Sequence, residues 1–467
     1  MTNPSGKTFG RRDLLRSALA LTATNVGLPL LGRGSFQALA AAPTKYSARA
    51  MKLVERSLVI DMLAVIVIDF RPEAYARTLT AEEEAMFRTS GITGFHNSIG
   101  TGGPQVVEET LMFLAAWQGF VGRHSHLFTL VGKASDLDRA KAQGKVGVVM
   151  GLQNSEHFRK PEDVKKFHQL GQRCSQLTYN TQNLIGSGGT ERVDGGITDF
   201  GVTIIQAMNE VGMLIDVSHS GDRTTLDAIE LSSKPIAITH SNCRALNDHP
   251  RLKTDEAIRK LAAKGGVMGI TGVRNFVRGQ EPTTIEHMVD HIDHVVKLVG
   301  IDHVGIGSDS DLNGYDDMPA DQRQELLAMY KPSYAFRGKL DTDGFDHPRK
   351  ILDLTEALIR RGYSDDNITG VLGGNSRRLL QATWTSRQPH AGQGGPHEQF
   401  VVSALSAAGV RVQGVRHRWG LRDRARACRV LPARRSSGRS AGHGPGRRYL
   451  ERRLHRDIHL RACDAES

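Results

Sequence analysis

What most constrains this chain is an alternation that runs from about residue 52 to 384. Short apolar runs lie at 58–67, 91–96, 146–153, 174–179, 213–219, 235–240, 265–271 and 303–309, most of them rich in Val, Ile or Gly. Continuous apolar runs of this length suit strands covered on both faces. Stretches of helical spacing separate them, at 161–171, 198–211, 224–231, 254–264 and 285–299. Asp222, Thr254 and Thr284 sit where those helices start, as candidate caps. Eight buried strands with intervening helices predict an α/β fold, a TIM-like (β/α)8 barrel. A doubly wound open sheet is the alternative. Its dinucleotide version lacks support, because no Gly-x-Gly-x-x-Gly follows a strand.

The barrel reading divides the chain into three parts: 1–40, 41–388 and 389–467. Residues 9–16 read Phe-Gly-Arg-Arg-Asp-Leu-Leu-Arg, and Ala38-Leu39-Ala40 offers a small-x-small cleavage pattern. Together they predict a Tat-type signal peptide and a periplasmic or secreted product. After it, no run of about 18 apolar residues predicts a membrane span. The C-terminal segment changes texture. Residues 391–467 hold 16 Arg and no Lys against 6 acids. That composition is expected of GC-rich DNA read out of frame; a true arginine-rich arm is the alternative.

Charge follows the same division. The formal net charge is +11, of which +10 belongs to 391–467 and +4 to 1–40, so the middle is mildly acidic at −3. No nucleic-acid partner is expected for the middle. The four cysteines, Cys174, Cys243, Cys428 and Cys463, form no CxxC pair. Cys174 opens a strand and reads as a buried free thiol.

In a parallel barrel the C-terminal ends of the strands carry the site. Here those ends hold Gln153, Tyr179, His219, His240 and Asp309. A single strand-end histidine is usually structural. Two on successive strands, His219 and His240, converge at one barrel mouth and read as metal ligands. Arg251 follows the second histidine strand. It suits bidentate capture of a carboxylate, with a surface salt bridge as the plain alternative. Asp309 reads as the acid that takes a proton from an activated water and returns it to a leaving amine, or else as a loop cap. Asp311 and Gly314 read as loop-shaping residues. His96 and Asn97 end the second strand and are candidates to line the pocket, and Glu156 and His157 are candidate replacement ligands. His287, His291 and His294 lie at helical spacing without the glutamate of a zincin helix, so they read as a partly solvated helix face. No Gly-x-Ser-x-Gly elbow supports a serine hydrolase.

Several stretches also carry a resemblance. They are Leu-Thr-Tyr-Asn (177–180), Asp-Val-Ser-His (216–219), Thr-His-Ser-Asn (239–242), Asp-His-Pro-Arg (248–251), Asp-His-Val-Gly-Ile-Gly-Ser-Asp (302–309) and Gly-Gly-Asn (373–375). In order and spacing they resemble the membrane (renal) dipeptidase family, peptidase family M19, over about 52–384. The resemblance implies a metal-dependent dipeptidase on a (β/α) barrel with two zinc ions bridged by a glutamate, and often a homodimer. It implies that His219 and His240 are ligands of the second metal. Arg251 would hold the substrate's terminal carboxylate, and Asp309 would contact the amine or move the proton. The chain departs from the family pattern at three places. Asp61-Met62-Leu63-Ala64-Val65 replaces Asp-Gly-His-x-Asp, so Leu63 and Val65 stand where the first metal's ligands would be. Gln153 stands at the bridging glutamate, and Tyr179 at a substrate-contacting histidine.

The expected activity is therefore hydrolysis of an amide in a dipeptide or a similar small substrate with one zinc ion. That ion would be held by His219 and His240, with Asp309, Gln153 or water completing the site. Two rivals remain. One is a metal-free member that binds a peptide-like ligand through Arg251. The other is a one-metal hydrolase of a lactone or phosphoester.

Overall fold

Parallel pairing closes the sheet on itself. In the computed structural model, which describes residues 45–69 and 71–385, the strands in chain order are β1 (Ile60–Ala64), β2 (Gly94–Ile99), β3 (Phe128–Leu130), β4 (Val146–Leu152), β5 (Gln172–Gln176), β6 (Leu214–Asp216), β7 (Ala237–Ser241), β8 (Val267–Ile270) and β9 (Val304–Ile306). Neighbours run β2-β1-β9-β8-β7-β6-β5-β4, and β2 pairs with β4 to complete a ring of eight. The predicted barrel is the observed one. β3 is an addition that the apolar pattern did not reveal. Its three residues pair with 146–148 of β4, while 150–152 of β4 pair with β5. The proposed signal peptide and the segment 389–467 lie outside the described residues.

Helices cover the outside of the ring, and their starts follow local chemistry. Thr254 caps helix Asp255–Ala263, its hydroxyl accepting from Ala257 N–H at 3.2 Å. The N–H of Thr284 donates to His287 Nδ1 at 3.1 Å ahead of helix Ile285–Val299. Asp222 differs from expectation. It is the first residue of its helix, after Gly221, and its carboxylate pairs with Arg244. His291 also differs. It is buried rather than solvated, accepting from Cys243 N–H and donating to Val277 O, whereas His294 pairs with Asp255. Cys174 is a buried free thiol as read.

Two close approaches fix the ends of the ring. Asn375 of the Gly-Gly-Asn stretch donates to Ile301 O at 2.8 Å and Val304 O at 2.9 Å, tying the closing helix to β9. At Gly373 a Cβ would lie 2.1 Å from Leu58 O, so only glycine lets the chain pass the entry to β1. Among the described residues no helix is long and apolar enough to cross a membrane.

Candidate active site

The C-terminal ends of the strands open into a cavity of about 1030 Å³. Gln153, Tyr179, His219 and Asp309 all line it, together with Leu63 and Val65. The sequence therefore places these side chains at one mouth, as a parallel barrel requires.

The two histidines meet directly, with His219 Nε2 and His240 Nε2 2.9 Å apart. Their outer nitrogens fix their tautomers. His219 Nδ1–H donates to Asn180 Oδ1 at 2.7 Å. The Thr239 hydroxyl donates to Asp216 Oδ2 at 2.6 Å, so its oxygen is left to accept from His240 Nδ1–H at 2.8 Å. With both Nδ1 atoms turned outward, the two Nε2 atoms are left to share one proton or one cation between them. Burial and the nearby Arg251 charge hold both imidazoles well below the usual histidine range, so both are neutral at pH 7. Buried Asp216 sets this geometry. It accepts from Ser218 N–H, the Ser218 hydroxyl and Thr239 N–H as well as from the Thr239 hydroxyl.

This donor set fits one metal ion in part. Two nitrogens on a tetrahedral zinc lie about 3.3 Å apart, close to the spacing seen. A second ion lacks the side chains that would hold it at positions 63 and 65. Leu63 and Val65 are apolar. The Gln153 side-chain amide donates weakly to Ser98 O at 3.5 Å, while it is the backbone carbonyl of Gln153 that accepts from Gln176 Nε2. Among the described residues no three His, Cys, Asp or Glu side chains converge for a metal.

Arg251 is buried and does not itself line the cavity, but its partner Tyr334 does. Its Nη1 donates to Ser218 O and its Nε to the Tyr334 hydroxyl at 3.1 Å, and its Nη2 has no partner. The guanidinium also lies 5.3 Å from the centre of the Phe276 ring. The Nε and Nη2 donors form one edge of the guanidinium, shaped for a carboxylate, with one phenol across it. Among the described residues Arg251 makes no salt bridge, the alternative weighed for it.

Asp309 follows β9 with a left-handed φ of 62°, uncommon for a residue with a side chain. Its N–H donates to Leu63 O, and Tyr315 donates to its carbonyl at 2.6 Å. Burial pushes its carboxyl up to about 7; Arg251 pulls it down, and Asp61 and Asp216 push it further up. A carboxyl poised there can both take and return a proton at neutral pH. Asp311 shapes the loop, accepting from Ile68 N–H and Asn313 N–H.

Other candidates fall away. His96 does not line the cavity. It is buried, its Nδ1 donating to Met62 O, and its ring fills the space above Gly151. Asn97 accepts from Ile66 N–H instead. His157 packs on Phe158 and bonds Gln172, while Glu156 reaches the cavity wall.

Sequence reasoning missed a wall of aromatic residues from 315–336. The hydroxyls of Tyr330 and Tyr179 lie 2.6 Å apart, and Tyr334 donates to Asn180 Oδ1 at 2.5 Å. The Tyr179 ring stacks on His219 at 4.2 Å. The bunching of Tyr330, Tyr334 and Phe336 was the available signal.

Comparison with known proteins bears on this geometry. A family model described as membrane dipeptidase (peptidase family M19) matches residues 48–325. A dipeptidase of Clonostachys rogersoniana is 28% identical over 265 residues, 56% of this chain and 62% of that one. An uncharacterized dipeptidase of Schizosaccharomyces pombe is 30% identical over 287 residues, 60% of this chain and 63% of that one. The chain thus spans less than two thirds of the length of these curated relatives. A crystal structure of an amidohydrolase from Pseudomonas aeruginosa is 31% identical with a TM-score of 0.62, covering 72% of this chain and 99% of that one.

Proposed function

Because the chain belongs to the membrane dipeptidase family, peptidase family M19, we propose that it is a metal-dependent hydrolase of the amide bond in dipeptides or similar small substrates. The observation that carries this reading is the pair of facing imidazole nitrogens, of which His219 lines one cavity with Asp309 and His240 is buried behind it. His219 and His240 would hold a single divalent ion, zinc by the preference of imidazole donors, which supplies Lewis acidity and a more acidic water. The rest falls to the chain's own side chains. The Nε/Nη2 edge of Arg251 receives the substrate carboxylate. Tyr330, Tyr334 and Phe336 keep bulk water off. Asp309 takes a proton as water oxygen bonds to the carbonyl carbon, and returns it to the departing nitrogen as the C–N bond breaks.

The test is metal content and dipeptide hydrolysis of the full chain, beside His219→Ala and His240→Ala. Roughly one ion per chain, lost with either substitution together with hydrolysis, is expected. A chain that takes up no zinc and releases no amino acid from a dipeptide panel sinks the proposal. Leu63, Val65 and Gln153 favour a second reading, a metal-free binder of a peptide-like ligand. A dipeptide-induced thermal shift without metal, abolished in Arg251→Ala, marks that case. A one-metal lactonase or phosphoesterase would show itself in the same assays with those substrates.

Export by the twin-arginine route to the periplasm, and pairing as a homodimer, complete the proposal. Fractionation of cells with and without Arg11→Lys/Arg12→Lys tests the first. Light scattering tests the second.

A further inference from the structure

We infer that the substrate is an N-acylated amino acid, with a free carboxylate at one end and an uncharged apolar acyl group at the other. This rests on the amide-hydrolase reading above and names its substrate class.

Three observations carry it. The first is the apolar wall. Leu63 and Val65 line the cavity with Ile68 and Ile99, where the family pattern would place a His and an Asp. Burying a ligand's hydrocarbon there is favourable, and burying an ammonium there is costly.

The second is the supply of carboxylates. A dipeptide brings an ammonium, which needs an anionic partner. The acids lining the cavity are Glu156, Glu325 and Asp309. Glu156 already accepts from Gly103 N–H at 3.2 Å and from Asn154 Nδ2 at 3.3 Å. Glu325 is solvent-exposed on helix Ala320–Met329. Hydrolysis needs Asp309 for the proton, so an ammonium would depend on Glu156, which those two neutral donors hold in place.

The third is the anchor. The unpartnered Nη2 of buried Arg251 asks for one anion. A monoanion with an apolar far end matches a buried cation and an apolar cavity wall better than a zwitterion does. The volume, about 1030 Å³, lies at the upper end for cavities that enclose small ligands, and leaves room for an acyl chain. The reaction adds water across the C–N bond and yields a carboxylic acid and a free amino acid.

The decisive pair of probes is 3-phenylpropanoyl-alanine and phenylalanyl-alanine, which differ only by the ammonium. Each is tried with both configurations at the C-terminal alanine. Full-length protein is supplied with zinc for hydrolysis, followed by alanine release, and is kept zinc-free for binding, followed by calorimetry. The acyl compound is expected to bind or turn over at least about tenfold better, the factor set by some 1.4 kcal/mol of unpaired ammonium desolvation. Val65→Asp should shrink that preference, with Val65→Asn as a milder version if the first unfolds. Equal or better use of phenylalanyl-alanine overturns this inference and leaves the hydrolase reading standing. Binding and hydrolysis of neither compound overturn both.

Discussion

Arg251 is the side chain on which the proposed grip on a carboxylate rests. Its Nη1 is taken by Ser218 and its Nε by Tyr334, and Nη2 is left open. Arg251→Lys keeps the charge and loses the two-pronged edge. Affinity for a carboxylate ligand should fall about 10- to 100-fold, measured by calorimetry, and an unchanged affinity would remove Arg251 from the binding role. Asp309 gives a pH signature. Its carboxyl is raised from 3.8 to about 7 in the folded chain. The folded state therefore holds a proton that the unfolded chain releases above about pH 4. This group's contribution makes stability fall as pH rises from about 4 to about 7, and adds no slope beyond. Hydrolysis needs the carboxylate, so kcat/KM should rise toward a plateau with an apparent pKa near 7. Asp309→Asn should abolish the rate and flatten that part of the stability profile. A rate that does not change across pH 5–8 would contradict its role.

At the scale of elements, β2 and β4 illustrate what the sequence conceals. His96 looked like a pocket residue because it nears a strand end. The ring fills the space a side chain at Gly151 would need, and a Cβ there would lie 1.8 Å from His96 Nε2. Gly151→Ala should therefore destabilise by about 1–3 kcal/mol through overpacking. A melting curve that does not move would refute this packing, and His96→Ser in the same chain should recover part of the loss. The strands themselves were legible, because a run apolar on both faces has few other places to be. So was the placing of Gln153, Tyr179, His219 and Asp309 at one mouth, because parallel strands share a C-terminal end. β3 was hidden by its three-residue length. Tyr330 and Tyr334 were hidden because residues 315–340 carry no period, and their contacts with Tyr179, Asn180 and Arg251 span more than 80 residues. The place of Asn180 was equally invisible: its motif was in view, but only the fold brings its side chain to within 2.7 Å of His219 Nδ1.

For the whole molecule, charge and fold part company. The formal charge of +11 comes from the ends, while 41–390 carries about −3, and every strand of the barrel lies between Ile60 and Ile306. A large basic excess promotes association with polyanions regardless of fold, and salt screens it. If residues 389–467 are foreign to the barrel, as their lysine-free composition suggests, a chain of residues 41–388 has everything the hydrolase needs. That shorter chain should pass through a heparin column that retains the full chain at low salt. It should melt within a few degrees of the full chain and bind zinc equally well. Retention of the shorter chain, or loss of its metal, would make the arginine-rich segment a working part of the protein. Sequencing of the locus decides between the two origins of that segment: a single uninterrupted frame to a natural stop would make it a genuine basic arm.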